Sequence, residues 1–566
     1  MSDFQPRTGD MARILMQVLD APAQLQALPA FAEVDAELMQ QVLEEAGKFV
    51  GAVVAPLNRA GDETGCRFEA GRVTTPPGFR AAYQAFWQAG WPALACAPED
   101  GGQGLPTVLE AVLYEMLSAA NHGWTMAPGL LHGAYECLKH HGSADLKARY
   151  LPRIASGEWL ATMCLTEPQA GSDLGLVRTR ATPRGEDYAL SGTKIFISGG
   201  EHDLSDNIVH LVLARLPDAP AGPKGLSLFL APKLLPDGSR NAIHCERLEE
   251  KMGLHGSATC VMRFDEASGW LVGEPNRGLN AMFVMMNAAR LHVALQGIGL
   301  LEAAWQKASA YAQERRQMRA PGATQTSLIA EHPAIQRILA TQRAWIDGGR
   351  LLAYRTAVEL DLLKHHPDAT RRAAAQRWCS LVTPVLKAAW TQQGFHGASA
   401  CLQVFGGHGY VREWGIEQIV RDARVTMIYE GTNEIQAIDL LLRKVLPDGG
   451  AALGALFDEL AGAGGLPPAV LQRFAQLRGL AARLAQAATE RSDLPYWVAD
   501  DFLPAVALAL LAWAGARIEA AGASLWQEPG RALQSWILPK FELRVRIIEQ
   551  QLAETAPAPA PAPAAA

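Results

Sequence analysis

The eight cysteines, at 66, 96, 137, 164, 245, 260, 379 and 401, include no C-x-x-C pair. That spacing argues against a zinc ribbon or a disulfide framework and for free, mostly buried thiols in a reducing compartment. The chain also lacks H-E-x-x-H and G-x-S-x-G, so zinc-dependent and serine hydrolysis have no support. Neither G-x-G-x-x-G nor G-x-x-x-x-G-K-[ST] occurs, which removes a dinucleotide fingerprint and a nucleoside triphosphatase loop. There is no basic excess: the net charge is −7, which argues against a nucleic-acid partner. The N-terminus has no basic start followed by a long apolar core, so no secretory signal is expected. The longest strongly apolar stretch, Phe502 to Ala516, is too short for a bilayer and contains a proline. A cytoplasmic protein without stable membrane insertion is expected.

What is present is apolar bulk. Hydrophobic residues make up 49% of 566 and charged ones 19%, enough for roughly three or four domains or subdomains. Up to about residue 155 the pattern is helical, as in Leu38 to Val54, Phe79 to Gly90 and Val108 to Ala120. Between about 160 and 275 the period changes to short β-branched and aromatic runs, such as Tyr188 to Ser198 and Ala258 to Phe264. Residues 280 to 313 carry a proline-free apolar stripe long enough for one very long helix or two abutting ones, and helical patterns return at 332 to 363, 369 to 394 and 433 to 446. Five regions are expected: an N-terminal helical domain (1–157), a middle β domain (158–278), a helical bundle (279–447), an extra C-terminal helical domain (448–555) and an extended Ala/Pro tail (556–566). The amphipathic stretch from Leu533 to Leu552 has mixed charges, which favours packing against a partner subunit over a membrane surface.

The most informative string is Met427-Ile-Tyr-Glu430-Gly-Thr-Asn-Glu-Ile-Gln436. One carboxylate follows the largely apolar run Val425 to Tyr429 and precedes a glycine and a helical pattern. Dry surroundings favour the neutral carboxyl and raise its pKa, which suits a base for a weakly acidic carbon. The same position also fits a surface glutamate stabilised by a helix dipole.

Three further segments bear on the choice. Thr166-Glu-Pro-Gln-Ala-Gly-Ser-Asp173 packs turn formers and two hydroxyls into a loop able to present N–H groups to a heterocycle or a phosphate; a plain surface loop is the other reading. Phe196 and Ser198 alternate onto one face of a strand ending at Gly199-Gly200, which suits stacking on a flat ring as well as core packing. Gln403-Val-Phe-Gly-Gly-His-Gly-Tyr410 places three glycines where backbone can approach a pyrophosphate, and His408 reads as a loop residue. Glu314-Arg-Arg-Gln317 closes the long helix with cations, and Arg290 lies inside an apolar stretch where it needs a buried acid or a substrate group.

Taken together and in this order, these strings resemble the acyl-CoA dehydrogenase family over roughly residues 40 to 446. The resemblance implies an α+β multidomain fold: an N-terminal helical domain, a β-barrel-like middle domain and a C-terminal helical bundle. It implies FAD as cofactor, held by Leu165, Thr166, Phe196 and Ser198, by Arg315 and Gln317, by Gln403, Gly406 and Gly407 reaching the flavin of a neighbouring subunit, and by Thr432 and Glu434. It assigns the catalytic base to Glu430 and substrate contacts to Ser172, Arg290, Glu430 and Gly431. Some branches place the base just before the arginine matched by Arg290, but that position is Ala289 here. Two departures from common family patterns are Met318-Arg319 after Gln317 and the pair His332-Pro333. These departures, with Lys251 to Ser257 and the extra C-terminal helices, are similar to the branch containing 3-(methylthio)propanoyl-CoA dehydrogenase.

The implied reaction is α,β-dehydrogenation of an acyl-CoA to a trans-2-enoyl-CoA, on 3-(methylthio)propanoyl-CoA or a short- or medium-chain fatty acyl-CoA. Electrons would pass to electron-transferring flavoprotein, and the enzyme would be a homodimer, with a tetramer as the other family state. The alternatives are an acyl-CoA oxidase using oxygen and a non-catalytic flavoprotein.

Overall fold

The change of hydrophobic period along the chain becomes a change of architecture. The computed structural model describes residues 4–554 apart from 463 and 523, so the Ala/Pro tail lies outside the described residues. N-terminal helices include Ala36–Phe49, capped by the Asp35 carboxylate accepting the Leu38 N–H at 2.8 Å, and Thr107–Ala120, buried on almost every side. A small hairpin, β1 (Arg67–Glu69) and β2 (Arg72–Thr74), interrupts the region expected to be helical. Its two-residue turn, Ala70-Gly71, has left-handed φ at both positions (48° and 76°), the mirror-type turn that matches strand twist.

The middle region holds seven strands: β3 (Leu160–Cys164), β4 (Arg180–Arg184), β5 (Asp187–Ser198), β6 (Ile208–Arg215), β7 (Leu226–Pro232), β8 (Ile243–Leu248) and β9 (Thr259–Val272). Pairings run β6-β4-β5-β9-β7 and return from β7 to β6, so five strands close a ring, with β3 added beside β6 and β8 beside β9. Its interior is filled by Leu190, Ile197, Val212, Phe229, Cys260, Met262 and Phe264. Closure removes the unpaired edges of an open sheet.

The chain then forms three long helices: Gly278–Glu314 as one continuous helix, Pro333–His365 and Ala369–Val404. The first and third cross at glycine. A Cβ on Gly297 would lie 2.5 Å from the Trp390 carbonyl oxygen, and one on Gly394 would lie 2.8 Å from the Gly297 carbonyl oxygen. A buried ionic cluster ties the first two long helices to the N-terminal region: the Arg350 guanidinium meets Glu115 at 2.7 Å and Glu302 at 3.1 Å, and the Tyr354 hydroxyl donates to Glu115. Further helices, Ala451–Gly462, Pro468–Ala487, Leu494–Ala520 and Pro539–Ala553, complete the described chain. In the last of these Phe541, Val545 and Ile548 are buried within this chain, where the helix packs on Leu494–Ala520, so its apolar face is covered by its own fold and not by the partner subunit expected from the sequence.

The expectation about apolar runs needs correction. Two helices, Gly278–Glu314 and Leu494–Ala520, are long and apolar enough to cross a membrane by length and composition, because Pro504 is accommodated inside the second instead of ending it. Their most apolar windows are 76% and 83% buried inside the fold, which accounts for their composition as core helices. All eight cysteines are free, and seven are buried.

The helix crossing gives a direct test. Gly297→Leu should destabilise by about 1–3 kcal/mol or more, since overpacking forces the backbones apart. Gly479→Ala, at an exposed helical position with nothing within 4 Å of the added methyl, should cost nothing. Urea midpoints of the two variants check both; a wild-type midpoint for Gly297→Leu would contradict the close crossing.

Candidate active site

Glu430 sits in a turn that few sequences could hold. After a single helical turn over Val425–Met427, Glu430 and Gly431 both take left-handed backbone, at φ 56° and 84°. For glutamate this conformation costs about 1–2 kcal/mol, so neighbouring contacts must impose it. The Gln436 amide donates to the Glu430 carbonyl at 3.0 Å. The Lys387 ammonium donates to the Gly431 carbonyl at 2.7 Å and to Asn433 Oδ1 at 3.0 Å. Asn433 Nδ2 donates back to the Ala388 carbonyl at 3.1 Å. Helix Asn433–Ile438 starts only after the turn, with the Thr432 hydroxyl accepting the Ile435 N–H. Thr432 therefore works as a cap, and Glu430 lies ahead of the helix instead of in its first turn.

Behind the turn, the Tyr429 hydroxyl donates to Gln296 Oε1 at 2.5 Å and lies 3.3 Å from His122 Nε2. Burial holds that phenol protonated and the His122 imidazole neutral. Glu430 itself keeps an edge open to solvent, yet protein crowds its carboxyl enough for desolvation to dominate. Burial pushes the carboxyl up, Arg290 and Lys387 pull it down by charge, and it settles at about 7. Arg290 is buried, with no hydrogen-bond partner for its Nε among the described residues.

The loop from Thr166 is anchored by its glutamate. The Glu167 carboxylate accepts from Arg178 N, Thr179 N, Thr179 Oγ1 and Lys194 Nζ. Despite burial, the Lys194 charge and these donors hold it down at about 2. Lys194 also donates to the Leu165 carbonyl, and the Ile195 N–H to the Thr166 carbonyl. Leu165 is buried, Thr166 and Ser198 half-buried, Ser172 exposed. A bulge between Lys194 and Ile197 breaks the simple alternation expected for this strand. It sets Phe196 at φ 61° and leaves the ring 60% exposed, while Ile197 enters the barrel core. A bulky side chain kept outside the core on strained backbone fits a flat ring stacked on it.

Arg315, Gln317, Gln403, Gly406 and Gly407 are exposed and belong to a second locus. Tyr311 stacks on Phe405 at 4.4 Å and bonds His408 at 2.9 Å, which brings the end of the long helix to the glycine segment. His408 stacks on Trp414 as a loop residue. Nothing lies within 4 Å of a Cβ on Gly406 or Gly407, so this backbone is open to a phosphate. Arg315 caps the end of helix Gly278–Glu314, which sets it roughly 37 Å along the axis from Arg290 at 1.5 Å per residue. Glu434 is exposed; after burial, its charge is the main influence raising the Asp500 carboxyl of helix Leu494–Ala520. No group of three or more His, Cys, Asp or Glu side chains suits a metal among the described residues.

Sequence reasoning missed Lys387, Gln296, Gln436 and His122. For Lys387 a signal existed: a single cation in the apolar run Leu381 to Trp390, the same signal that singled out Arg290.

Comparison with known proteins decides the family. Sequence models of the acyl-CoA dehydrogenase N-terminal, middle and C-terminal domains match residues 36–158, 162–267 and 276–445. The chain belongs to the acyl-CoA dehydrogenase family. It is 45% identical over 470 residues to 3-methylmercaptopropionyl-CoA dehydrogenase of Ruegeria pomeroyi, covering 80% of each chain. It is 34% identical to the broad-specificity linear acyl-CoA dehydrogenase FadE5 of Mycobacterium tuberculosis, over 80% of this chain and 77% of that one. In fold it is similar to Caenorhabditis elegans ACDH-11 in complex with C11-CoA, with a TM-score of 0.76 at 21% identity, covering 98% of this chain and 94% of that chain. The protein is thus an oxidoreductase of acyl-CoA dehydrogenase type with FAD as cofactor, and the extra C-terminal helices are part of its fold.

The raised Glu430 carboxyl has a stability consequence. Unfolded, it ionises near 4.5, and folded near 7, so its burial penalty is absent below 4.5, grows across that window and is complete above about 7. Glu430→Gln should therefore raise the melting temperature relative to wild type at pH 8 and change it little at pH 4.5. Equal differences at both pH values would contradict the raised value.

Proposed function

We propose that Glu430 is the base that removes the α-proton of an acyl-CoA thioester, 3-(methylthio)propanoyl-CoA or a short- or medium-chain fatty acyl-CoA. The observation that carries this reading is the Glu430 carboxyl, poised at about 7 in a left-handed turn between two cations. A base with a pKa near the working pH combines a large ionised fraction with the strongest usable proton affinity. Arg290 and Lys387 stabilise the ionised form before reaction. Among the described residues no acceptor takes the Glu430 backbone N–H, which leaves it for the thioester carbonyl where negative charge develops. A preorganised donor of this kind is typically worth about 3 kcal/mol.

Leu165, Thr166, Phe196 and Ser198 would hold the isoalloxazine, and Thr432 and Glu434 would complete its surroundings on the Glu430 side. Bound FAD supplies the two-electron acceptor for the β-hydrogen. Ser172, Arg290 and Gly431 would contact the acyl-CoA. The distance from Arg290 to Arg315 supports a homodimer in which Arg315, Gln317, Gln403, Gly406 and Gly407 serve the neighbouring subunit's FAD. The 45% identity to 3-methylmercaptopropionyl-CoA dehydrogenase supports a short acyl group. In this reading the enzyme is cytoplasmic and hands its electrons to electron-transferring flavoprotein.

Anaerobic bleaching of the bound flavin by a panel of acyl-CoAs tests the proposal. Short thioesters should bleach it fastest, with a second-order rate that rises as pH increases through about 7. Glu430→Gln should stay yellow and lose several decades of rate; near-normal bleaching by that variant removes Glu430 as base. Stoichiometric hydrogen peroxide in air would replace the dehydrogenase reading by the oxidase one.

A further inference from the structure

Lys387 is wholly buried on helix Ala369–Val404, in a stretch where Val385, Leu386, Ala388 and Trp390 are buried as well. A lysine is rarely left there, because stripping water from an ammonium is expensive unless something specific needs it. Its two acceptors both belong to the segment just after Glu430: the Gly431 carbonyl at 2.7 Å and Asn433 Oδ1 at 3.0 Å. The Thr391 hydroxyl, one turn along the same helix, shares Asn433 Oδ1 at 3.1 Å. The contact thus falls on the left-handed turn itself.

We propose that Lys387 is a positioning residue for the reaction: it clamps the Glu430-Gly431 turn at the Gly431 carbonyl and supplies positive charge that favours the ionised base. The inference rests on the reading of Glu430 as the base. Desolvation, opposed chiefly by the Glu430 charge, brings the ammonium down to about 7, close to the value of the carboxyl it faces. Two such groups titrate as a pair, and each steadies the charged form of the other. The other charges facing the pair are Arg290 from helix Gly278–Glu314, which favours ionised Glu430 and disfavours charged Lys387, and Glu434 from helix Asn433–Ile438, which favours charged Lys387. Tyr429, also beside Glu430, is held as a neutral phenol by burial.

A clamp and a charge make different kinetic signatures. The pH profile of anaerobic flavin bleaching is measured on the holoenzyme for wild type, Lys387→Met, Asn433→Ala and Asn433→Asp. Lys387→Met should lose more than tenfold in rate at pH 7, with its acidic limb displaced upward by about one pH unit and much of the rate recovered near pH 9. Asn433→Ala loosens the same turn without removing charge, so it should slow bleaching without moving the limb. Asn433→Asp keeps the lysine but sets a carboxylate against it, and it should move the limb upward as well; this variant carries the test if Lys387→Met does not fold. A limb that stays at its wild-type position in both Lys387→Met and Asn433→Asp would overturn the electrostatic role. Displacement by Asn433→Ala as large as that by Lys387→Met would overturn it too. Glu430→Gln run in parallel separates the two levels: if it bleaches normally the base assignment fails, and if it is inactive while the limbs stay fixed only the Lys387 inference fails.

Discussion

A carboxyl group crowded by protein between two cations is the constraint around which this molecule is arranged. Burial alone would make Glu430 a weak acid that never ionises usefully, and the cations alone would make it too weak a base. Desolvation set against Arg290 and Lys387 leaves it near neutrality. Each part of that balance comes from a different segment. Arg290 stands on the first long helix, Lys387 on the third, and the glutamate on the turn between them and the last helices of the bundle. The glycine-to-glycine crossing at Gly297 and Gly394 keeps the two helices close. Any bulkier pair there would move the charges relative to the carboxyl.

The remaining parts of the molecule support this arrangement at a distance. The Arg350 cluster fixes the first two long helices to the N-terminal region with charges that have no access to water. Breaking such a buried set on one side is far more damaging than its net contribution suggests. The C-terminal helices pack on the bundle: Arg355 lies 3.9 Å over Trp378 and pairs with Glu459, while Trp513 of the Leu494–Ala520 helix packs edge-on against Trp378. Through Glu434 and Asp500 the same helix senses the charge next to the Glu430 turn.

Much of this was legible in the sequence because it depends on period and composition. The switch from 3.6-residue to 2-residue spacing near residue 160 marks the closed β-ring, and the proline-free stripe after 280 is a single helix. Glu430 stood out because a lone acid at the end of an apolar run is costly to keep unless the charge is used. What stayed hidden depends on tertiary geometry. The bulge that turns Phe196 outward adds one residue to a strand whose alternation looked regular. Pro504 reads as a helix breaker, yet packing tolerates it inside Leu494–Ala520. The partners of the Glu430 turn, Lys387 and Gln296, lie 43 and 134 positions upstream and acquire meaning only when the helices are packed. Arg315 and Gln317 were legible as a motif, but their separation from Arg290 follows only once the stripe between them is one unbroken helix.

The proposed role of Glu430 is to exchange a proton with the carbon next to a thioester. The most direct measurement uses an acyl-CoA whose β-position carries no hydrogen, incubated with the holoenzyme in deuterated water and followed by mass spectrometry. One deuterium should enter the α-carbon with wild type and none with Glu430→Gln. Exchange at the wild-type rate in that variant would contradict it.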